Sequence, residues 1–203
     1  IYSGSVKDKF SWSAGLRGEH TYIKSNNNSV NRKYFSLFPN VSLGYNFSEK
    51  NNTSLSYSRR VQRPQFRQLN NSVSYIDQYS TWQGNPQLQP SFSDVLSASH
   101  TLMVKEHMFV FEVVGQWQRA DFSETSWIDS SRISRGGVVN GADRQMLALN
   151  LYYKLQLTKW WDVQMNHNYT YQHFDYAAGI NTGSLKGSGY NLWMATSFRF
   201  WKN

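Results

Sequence analysis

The stretch Leu147-Ala148-Leu149-Asn150-Leu151-Tyr152-Tyr153-Lys154-Leu155-Gln156-Leu157-Thr158 carries a large apolar residue at every odd position. The even positions hold mostly small or polar residues. Side chains point alternately to the two faces of a β-strand, so residues two apart share a face. The stretch therefore predicts a strand with one apolar and one polar face.

The segments on either side repeat this alternation. Odd positions from Phe109 are mainly apolar, and the pattern resumes after Trp160-Trp161. The apolar set is Phe109, Phe111, Val113, Trp117, Val163, Met165, Tyr169 and Tyr171, and the intervening polar set includes Glu112, Gln116, Gln118, Gln164, Asn168 and Thr170. A long apolar face backed by a very polar one is typical of a transmembrane β-barrel, where lipid lies outside and water inside.

Connections of alternating length separate the predicted strands. Short ones fall at 7–9, 48–52, 105–107 and 159–161, and long ones at 24–33, 63–91, 122–143 and 176–187. Barrels of the outer membrane have short periplasmic turns and long external loops. We therefore predict an all-β fold, a transmembrane antiparallel up-and-down β-barrel with about eight visible strands after an initial strand tail. These strands exceed the ~9–11 residues that a tilted crossing needs, so we expect them to project beyond the outer leaflet.

Composition narrows the class of protein further. Among 203 residues, 16% are aromatic and none is cysteine, which argues against a disulfide scaffold and thiolate metal sites. The net charge of +8 comes from scattered basic residues without a nucleic-acid-binding pattern, so nucleic acid is not an expected partner. Basic residues at the rims of a membrane barrel would lie near lipid phosphates, which is a better explanation of the charge. Abundant Trp and Tyr also fit a soluble sugar-binding β-sandwich, which remains an alternative at this point.

The alternation assigns side chains to the two faces of the predicted wall. We expect Arg60, Glu112, Gln116, Asn150 and Lys154 to face the lumen, with Arg63 just beyond its strand, as candidate substrate or lumen contacts. The competing interpretation is that Arg60 braces the wall and that Glu112 is a charge-paired lumen group. The predicted lipid-facing residues are Phe109, Phe111, Trp117, Leu149 and Leu151.

Patterns for catalysis, metals and cofactors are weak. The five histidines are dispersed, and Gly187-Ser188-Gly189 lacks the Gly-x-Ser-x-Gly spacing of a nucleophile elbow. We therefore expect no catalytic residues, no metal site and no cofactor, and predict that the chain is not an enzyme.

The segment from Thr53 to Pro90 carries the most specific motifs. It contains Ser56-Tyr57-Ser58-Arg59-Arg60-Val61-Gln62-Arg63-Pro64, then Leu69-Asn70, then Gly84-Asn85-Pro86-Gln87-Leu88-Gln89-Pro90. With Ala14-Gly15-Leu16-Arg17-Gly18-Glu19 and Leu37-Phe38-Pro39-Asn40, it resembles the barrel of TonB-dependent-receptor-like outer-membrane proteins of Bacteroidota. Asn70-Asn71 departs from the Asn-Pro often found in that family. We predict a rigid turn at Gly84-Asn85-Pro86, because proline restricts Asn85 and glycine permits unusual backbone angles.

The resemblance implies the rest of the functional prediction. Residues 1–203 would be part of a single outer-membrane barrel domain of 22 strands, lacking the remaining strands and the N-terminal plug. Ile1 would enter in mid-strand, and Trp201-Lys202-Asn203 would lead to a further turn. Energised import across a Gram-negative outer membrane is the leading function. The alternative is a non-transporting structural or interaction barrel, either small, closed and porin-like or the scaffold of a surface complex.

The same resemblance supplies the expected partners. They are outer-membrane lipid and lipopolysaccharide, the plug of the same full-length protein, a TonB-type energy-coupling protein and a surface lipoprotein. Substrate would bind between the outer loops and the plug.

Overall fold

A computed structural model describes residues 1–7, 9–24, 30–178 and 181–199. Nine strands form one continuous antiparallel sheet in which each strand pairs with its neighbours in chain order, apart from two short strands described below. The nine are β1 (Tyr2–Val6), β2 (Phe10–Lys24), β3 (Asn31–Ser48), β4 (Asn51–Gln62), β7 (Ser91–Val104), β8 (His107–Ile128), β9 (Ser134–Thr158), β10 (Trp161–Ala178) and β11 (Asn181–Phe198). The prediction of an antiparallel up-and-down meander of eight strands after a strand tail is confirmed.

The register of the sheet matches the alternation in the sequence. Phe111 on β8 pairs with Leu151 on β9, and the next pair joins Glu112 to Asn150. Apolar residues therefore meet apolar residues on one face, and polar residues meet on the other. A slip of one residue would exchange the two faces, so the pattern fixes the pairing.

Two predicted long loops are wrong in their bounds. The predicted loop 122–143 is mostly strand, because β8 continues to Ile128 and β9 starts at Ser134. Likewise β10 and β11 fill most of the predicted loop 176–187. Beyond the membrane a strand no longer has lipid on one side, so its sequence need not alternate and reads as a loop. A bulge between Gln118 and Phe122, with Ala120 at φ 55°, marks the change in β8.

The connection after β4 is a folded unit, where the sequence predicted only a polar excursion. It contains α1 (Phe66–Leu69), β5 (Val73–Tyr75) and β6 (Ser80–Gln83). β5 and β6 form a hairpin, and β6 pairs in parallel with the start of β9. The ladder between β9 and β10 stops at Ala142, so the preceding part of β9 has an edge to which β6 adds.

Pro39 lies beside a break in strand pairing, which is expected because proline has no N–H to donate to a ladder. The ladder between β3 and β4 stops at Asn40, the next residue. The predicted features at Asp8, at 25–29, at 179–180 and at 200–203 lie outside the described residues.

Most of the burial occurs at the loop end of the sheet. A cluster of Val30, Leu69, Leu88 and Val138 joins the folded connection to the sheet. Elsewhere the large apolar side chains form an exposed outward belt, and Phe111 keeps 48% of its surface accessible. Among the described residues β1 and β11 form no ladder with each other, so the sheet is open at these two edges.

Candidate functional site

A row of hydrogen-bonded polar side chains crosses the inner face, the face opposite the apolar belt. Asn150 Nδ2 donates to Glu112 Oε2 at 2.9 Å, and Asn168 Nδ2 donates to Asn150 Oδ1 at 2.5 Å. In the same row, the hydroxyls of Ser54 and Ser99 are 2.8 Å apart. The register aligns these residues across β4, β7, β8, β9 and β10. The inner face thus presents amide, hydroxyl and carboxylate groups at mid-height.

A second inner-face group is basic and lies on β2 to β4. Glu19 accepts a hydrogen bond from Arg63 and forms a 3.0 Å ion pair with Arg17. Arg60 is exposed and has no ion-pair partner among the described residues. Arg17 and Arg60 line a hollow of about 400 Å³ together with Ser13 and other residues. One carboxylate among three guanidinium groups leaves the region net positive.

The predicted lumen residues do not converge on a single pocket. Glu112 and Asn150 are bonded to each other, whereas Arg60 and Arg63 lie in the basic group. Gln116 pairs with Met146, and Lys154 pairs with Met108 at the opposite end of β9. They therefore mark different levels of one long surface.

Several partners in this surface, Glu19 and Asn168 among them, were not among the contacts predicted from the sequence. Both have the inner-face parity of their strands, but parity identifies a face without identifying which residues meet across it. Register supplies it for Asn168, which pairs with Asn150, whereas Glu19 meets Arg63 beyond the end of β4.

Gly84-Asn85-Pro86 forms a turn that packs against the C-terminal end of α1 and caps it. The Gly84 and Asn85 N–H groups donate to the carbonyls of Asn70 and Gln68, at 3.0 and 2.6 Å. Asn85 Oδ1 accepts from Gln87 N at 2.8 Å, and Leu88 N donates to the Asn85 carbonyl at 3.2 Å. Pro86 thus occupies the second position of a β-turn, where its fixed φ is favoured.

Two side chains fasten the turn to the sheet. Arg32 of β3 donates to the carbonyls of Pro86 and Leu88. Asn140 of β9 accepts from Gln89 N at 2.6 Å and donates to the Gln89 carbonyl at 2.8 Å. The connection is therefore held against strands on both sides of β7 and β8.

The tip between β8 and β9 is ordered by Asp129. Its carboxylate accepts from Ile133 N at 3.0 Å, from Ser131 N at 2.9 Å and from Arg135 Nε at 2.7 Å. These interactions, led by the bond from Ile133, hold the pKa of Asp129 below its usual value against a smaller opposing effect of desolvation. The carboxylate thus accepts hydrogen bonds from backbone N–H groups that have no ladder partner in this five-residue connection.

The predicted lipid-facing residues lie on the apolar face. Trp117, Leu149 and Phe111 are about half exposed, at 44%, 42% and 48%. Phe109 and Leu151 share this face through their pairing with Tyr153 and Phe111. At the short-turn end, Trp160, Trp161 and Phe198 stack with ring centroids 5.8 to 6.3 Å apart. Such aromatic girdles form at membrane–water interfaces.

The described residues contain neither a membrane-spanning helix nor a metal-binding cluster of side chains. No helix there has the length and apolar character needed to span a membrane. No group of three or more His, Cys, Asp or Glu side chains in that part of the chain is placed to hold a metal ion.

The fold and its two faces define the wall of an outer-membrane β-barrel. The chain belongs to the outer membrane protein β-barrel family, whose model matches residues 1–203. It is accordingly a protein of the Gram-negative outer membrane. No curated protein sequence matches the chain.

Two solved structures resemble the chain. The siderophore receptor PirA from Pseudomonas aeruginosa superposes with a TM-score of 0.61 at 10% identity, covering 98% of this chain and 41% of the receptor. The outer membrane transporter YddB from Escherichia coli gives a TM-score of 0.45 at 11% identity, covering 82% of this chain and 30% of that one. The chain thus spans less than half of either protein, and the likeness to PirA concerns the fold.

Proposed function

We propose that the chain is one arc of a larger plugged barrel that imports a substrate across the outer membrane with energy from a TonB-type protein. The observation that carries this proposal is an apolar outward face on a sheet with two unpaired edges. Backbone N–H and C=O groups cannot remain unpaired in hydrocarbon, so further strands must complete the wall. The motif resemblance to receptors of Bacteroidota favours 22 strands around a plug.

The inner face supports an import role. The row from Ser54 to Asn168 and the basic group around Arg60 give a substrate or a plug many hydrogen-bonding partners. We assign substrate or plug contacts to Arg60, Arg63, Glu112 and Gln116, with Asn150 and Lys154 as further lumen contacts. A surface lipoprotein would dock on the exposed loop end.

A deletion of the full-length gene tests the transport proposal. The deletion strain would be grown with a ferric siderophore, a peptide or an oligosaccharide as the limiting nutrient. We expect a growth or uptake defect on one of them, and the same defect when the TonB-type gene is removed. Normal uptake of every class would contradict import.

Charge reversal then tests the assigned contacts. Arg60→Glu and Glu112→Lys should lower uptake of the identified nutrient several-fold. Each variant reverses the charge that a substrate or plug group would meet at that position of the inner face. Lys33→Glu is the matched control, because Lys33 lies on the outward face over the Tyr22 ring. Wild-type uptake by both inner-face variants would remove these residues from the substrate path.

The second candidate is a non-transporting interaction barrel. The tip of the β5–β6 hairpin favours it, because Tyr75, Ile76 and Tyr79 are 81%, 67% and 70% exposed. Exposed apolar patches of this kind commonly mark protein interfaces. Under this candidate, deletion leaves uptake unchanged, and partner proteins no longer co-purify after Tyr75→Ser and Tyr79→Ser substitution.

A further inference from the structure

The outward face of β4 and β7 to β10 contains an apolar hollow of about 450 Å³. Its lining includes Leu55, Leu96, Ala98, Gly115, Trp117 and Leu147. Ala98 leaves room in an otherwise bulky surface, and a neighbouring ring covers Gly115. The Trp117 ring leans over Gly115, since a Cβ placed on that glycine would lie 2.9 Å from Trp117 Cη2.

The strand bounds place this hollow at a definite depth. A tilted strand crosses the membrane in about 9–11 residues. β8 begins at His107, so its crossing of the membrane ends near Trp117. β7 ends at Val104, so its crossing begins near Asp94. Asp94 and Trp117 are a register pair, so they mark the same outer boundary. The hollow therefore lies within the outer leaflet, directly below that boundary.

Polar side chains cap the hollow at the boundary. Arg59 Nε lies 3.3 Å from Asp94 Oδ1, and the Tyr57 hydroxyl donates to the same carboxylate at 2.7 Å. The Arg59 guanidinium also lies 5.6 Å from the centre of the Phe92 ring. These contacts hold the Arg59 guanidinium in a fixed position above the apolar hollow.

A second arginine makes the cap net positive. Arg119 is the register partner of Phe92, is exposed, and forms no ion pair within the described part of the chain. Directly opposed residues of an antiparallel pair share a face, with Cβ atoms about 5 Å apart. Arg119 of β8 and Arg59 of β4 therefore lie on opposite sides of Phe92, and the single Asp94 carboxylate neutralises only one of the two.

We propose that this surface binds one phosphorylated glycolipid of the outer leaflet. An acyl chain fills the hollow over Ala98 and beside the Trp117 ring, and a phosphate binds Arg119 and Arg59. Lipid is the medium around this face, because the chain is an outer-membrane protein. A cationic cap above an apolar slot matches an amphiphile with an anionic headgroup, and guanidinium pairs with phosphate through two parallel hydrogen bonds. Its position near the long-loop end selects the outer leaflet, where the phosphorylated lipid is a glycolipid.

The test is the amount of lipid A that stays with the full-length protein purified in mild detergent, measured per molecule by mass spectrometry. Arg119→Gln should lower it about tenfold by removing a charge-assisted contact. Gly115→Leu should lower it at least as much, because the added side chain pushes the Trp117 ring into the hollow. Lys33→Gln and Gly18→Leu are the matched controls and should leave the amount of bound lipid A unchanged. Lys33→Gln removes another outward cation. Gly18 resembles Gly115 in that a Cβ placed on it would lie 2.9 Å from a ring atom, Phe35 Cζ.

Folding is checked separately, by the heat-dependent gel mobility of the barrel. Should Gly115→Leu fail to fold, Arg119→Gln decides alone. Wild-type lipid A content in a folded Arg119→Gln protein overturns the proposal. A second measurement adds lipid A or phosphatidylglycerol to delipidated protein; preferential rebinding of lipid A supports the proposal, and equal rebinding of both overturns it.

Discussion

At the scale of single residues, Gly84 shows why one position in the motif requires glycine. A Cβ at this position would lie 2.4, 2.6 and 2.7 Å from the backbone oxygens of Asn70, Gln68 and Arg67. These oxygens cannot move aside without breaking the end of α1, because two of them accept hydrogen bonds from Gly84 and Asn85. The glycine is thus needed for close approach of two backbone segments.

Gly84→Ala should therefore destabilise the folded connection by about 1–3 kcal/mol, the usual effect of overpacking. Hydrogen exchange of the amides in residues 66–88 measures this locally, and we expect faster exchange there with the barrel intact. Gly187→Ala is the matched control, since no atom lies within 4 Å of a Cβ at Gly187. Equal exchange in the Gly84 variant and the control would contradict the argument.

At the scale of elements, the decisive contact is the short parallel ladder between β6 and β9. It pairs Ser80 with Ser134 and Trp82 with Gly136. Ser134 N also donates to the Tyr79 carbonyl at 2.7 Å. Through this ladder the connection after β4 reaches past β7 and β8, and it covers part of the loop end of the sheet.

Cysteines at the paired positions test this contact. Ser80→Cys with Ser134→Cys should form a disulfide on mild oxidation, because register partners in adjacent strands are close enough for one. The 203 residues contain no other cysteine to compete. Thiol labelling followed by gel mobility reports the bond. Ser74→Cys with Ser134→Cys is the control and should stay reduced, since Ser74 of β5 pairs with Trp82 and not with β9; equal cross-linking of both pairs would refute the ladder.

At the scale of the whole molecule, the two faces of the sheet meet different solvents. Leu149→Cys in native membranes should react with a lipid-soluble maleimide and resist a charged thiol reagent. Asn150→Cys should show the reverse preference, because its side chain belongs to the polar inner row. The ratio of the two labelling rates, compared between these adjacent positions, measures the assignment. Equal ratios would mean that the sheet does not separate lipid from a polar interior.

The sequence by itself determined the strands within the membrane, their order and their faces. Lipid on one side and a polar interior on the other impose alternation, so Leu149 and Asn150 can be assigned to opposite faces from local sequence alone. The motif also predicted the turn at Gly84-Asn85-Pro86. Each of these features depends on neighbouring residues in the chain.

Only the tertiary structure decided what happens beyond the membrane and across the inner face. β8 extends to Ile128, and β6 adds to the edge of β9. The sequences of these segments do not alternate between apolar and polar residues, because no lipid surrounds them. The ion pair between Arg63 and Glu19 joins residues 44 positions apart in the chain, and the path of the chain beyond the end of β4, rather than local composition, brings them together. Long-range contacts of this kind are set by where strands end and which edges stay free, and residue patterns within a strand do not encode either.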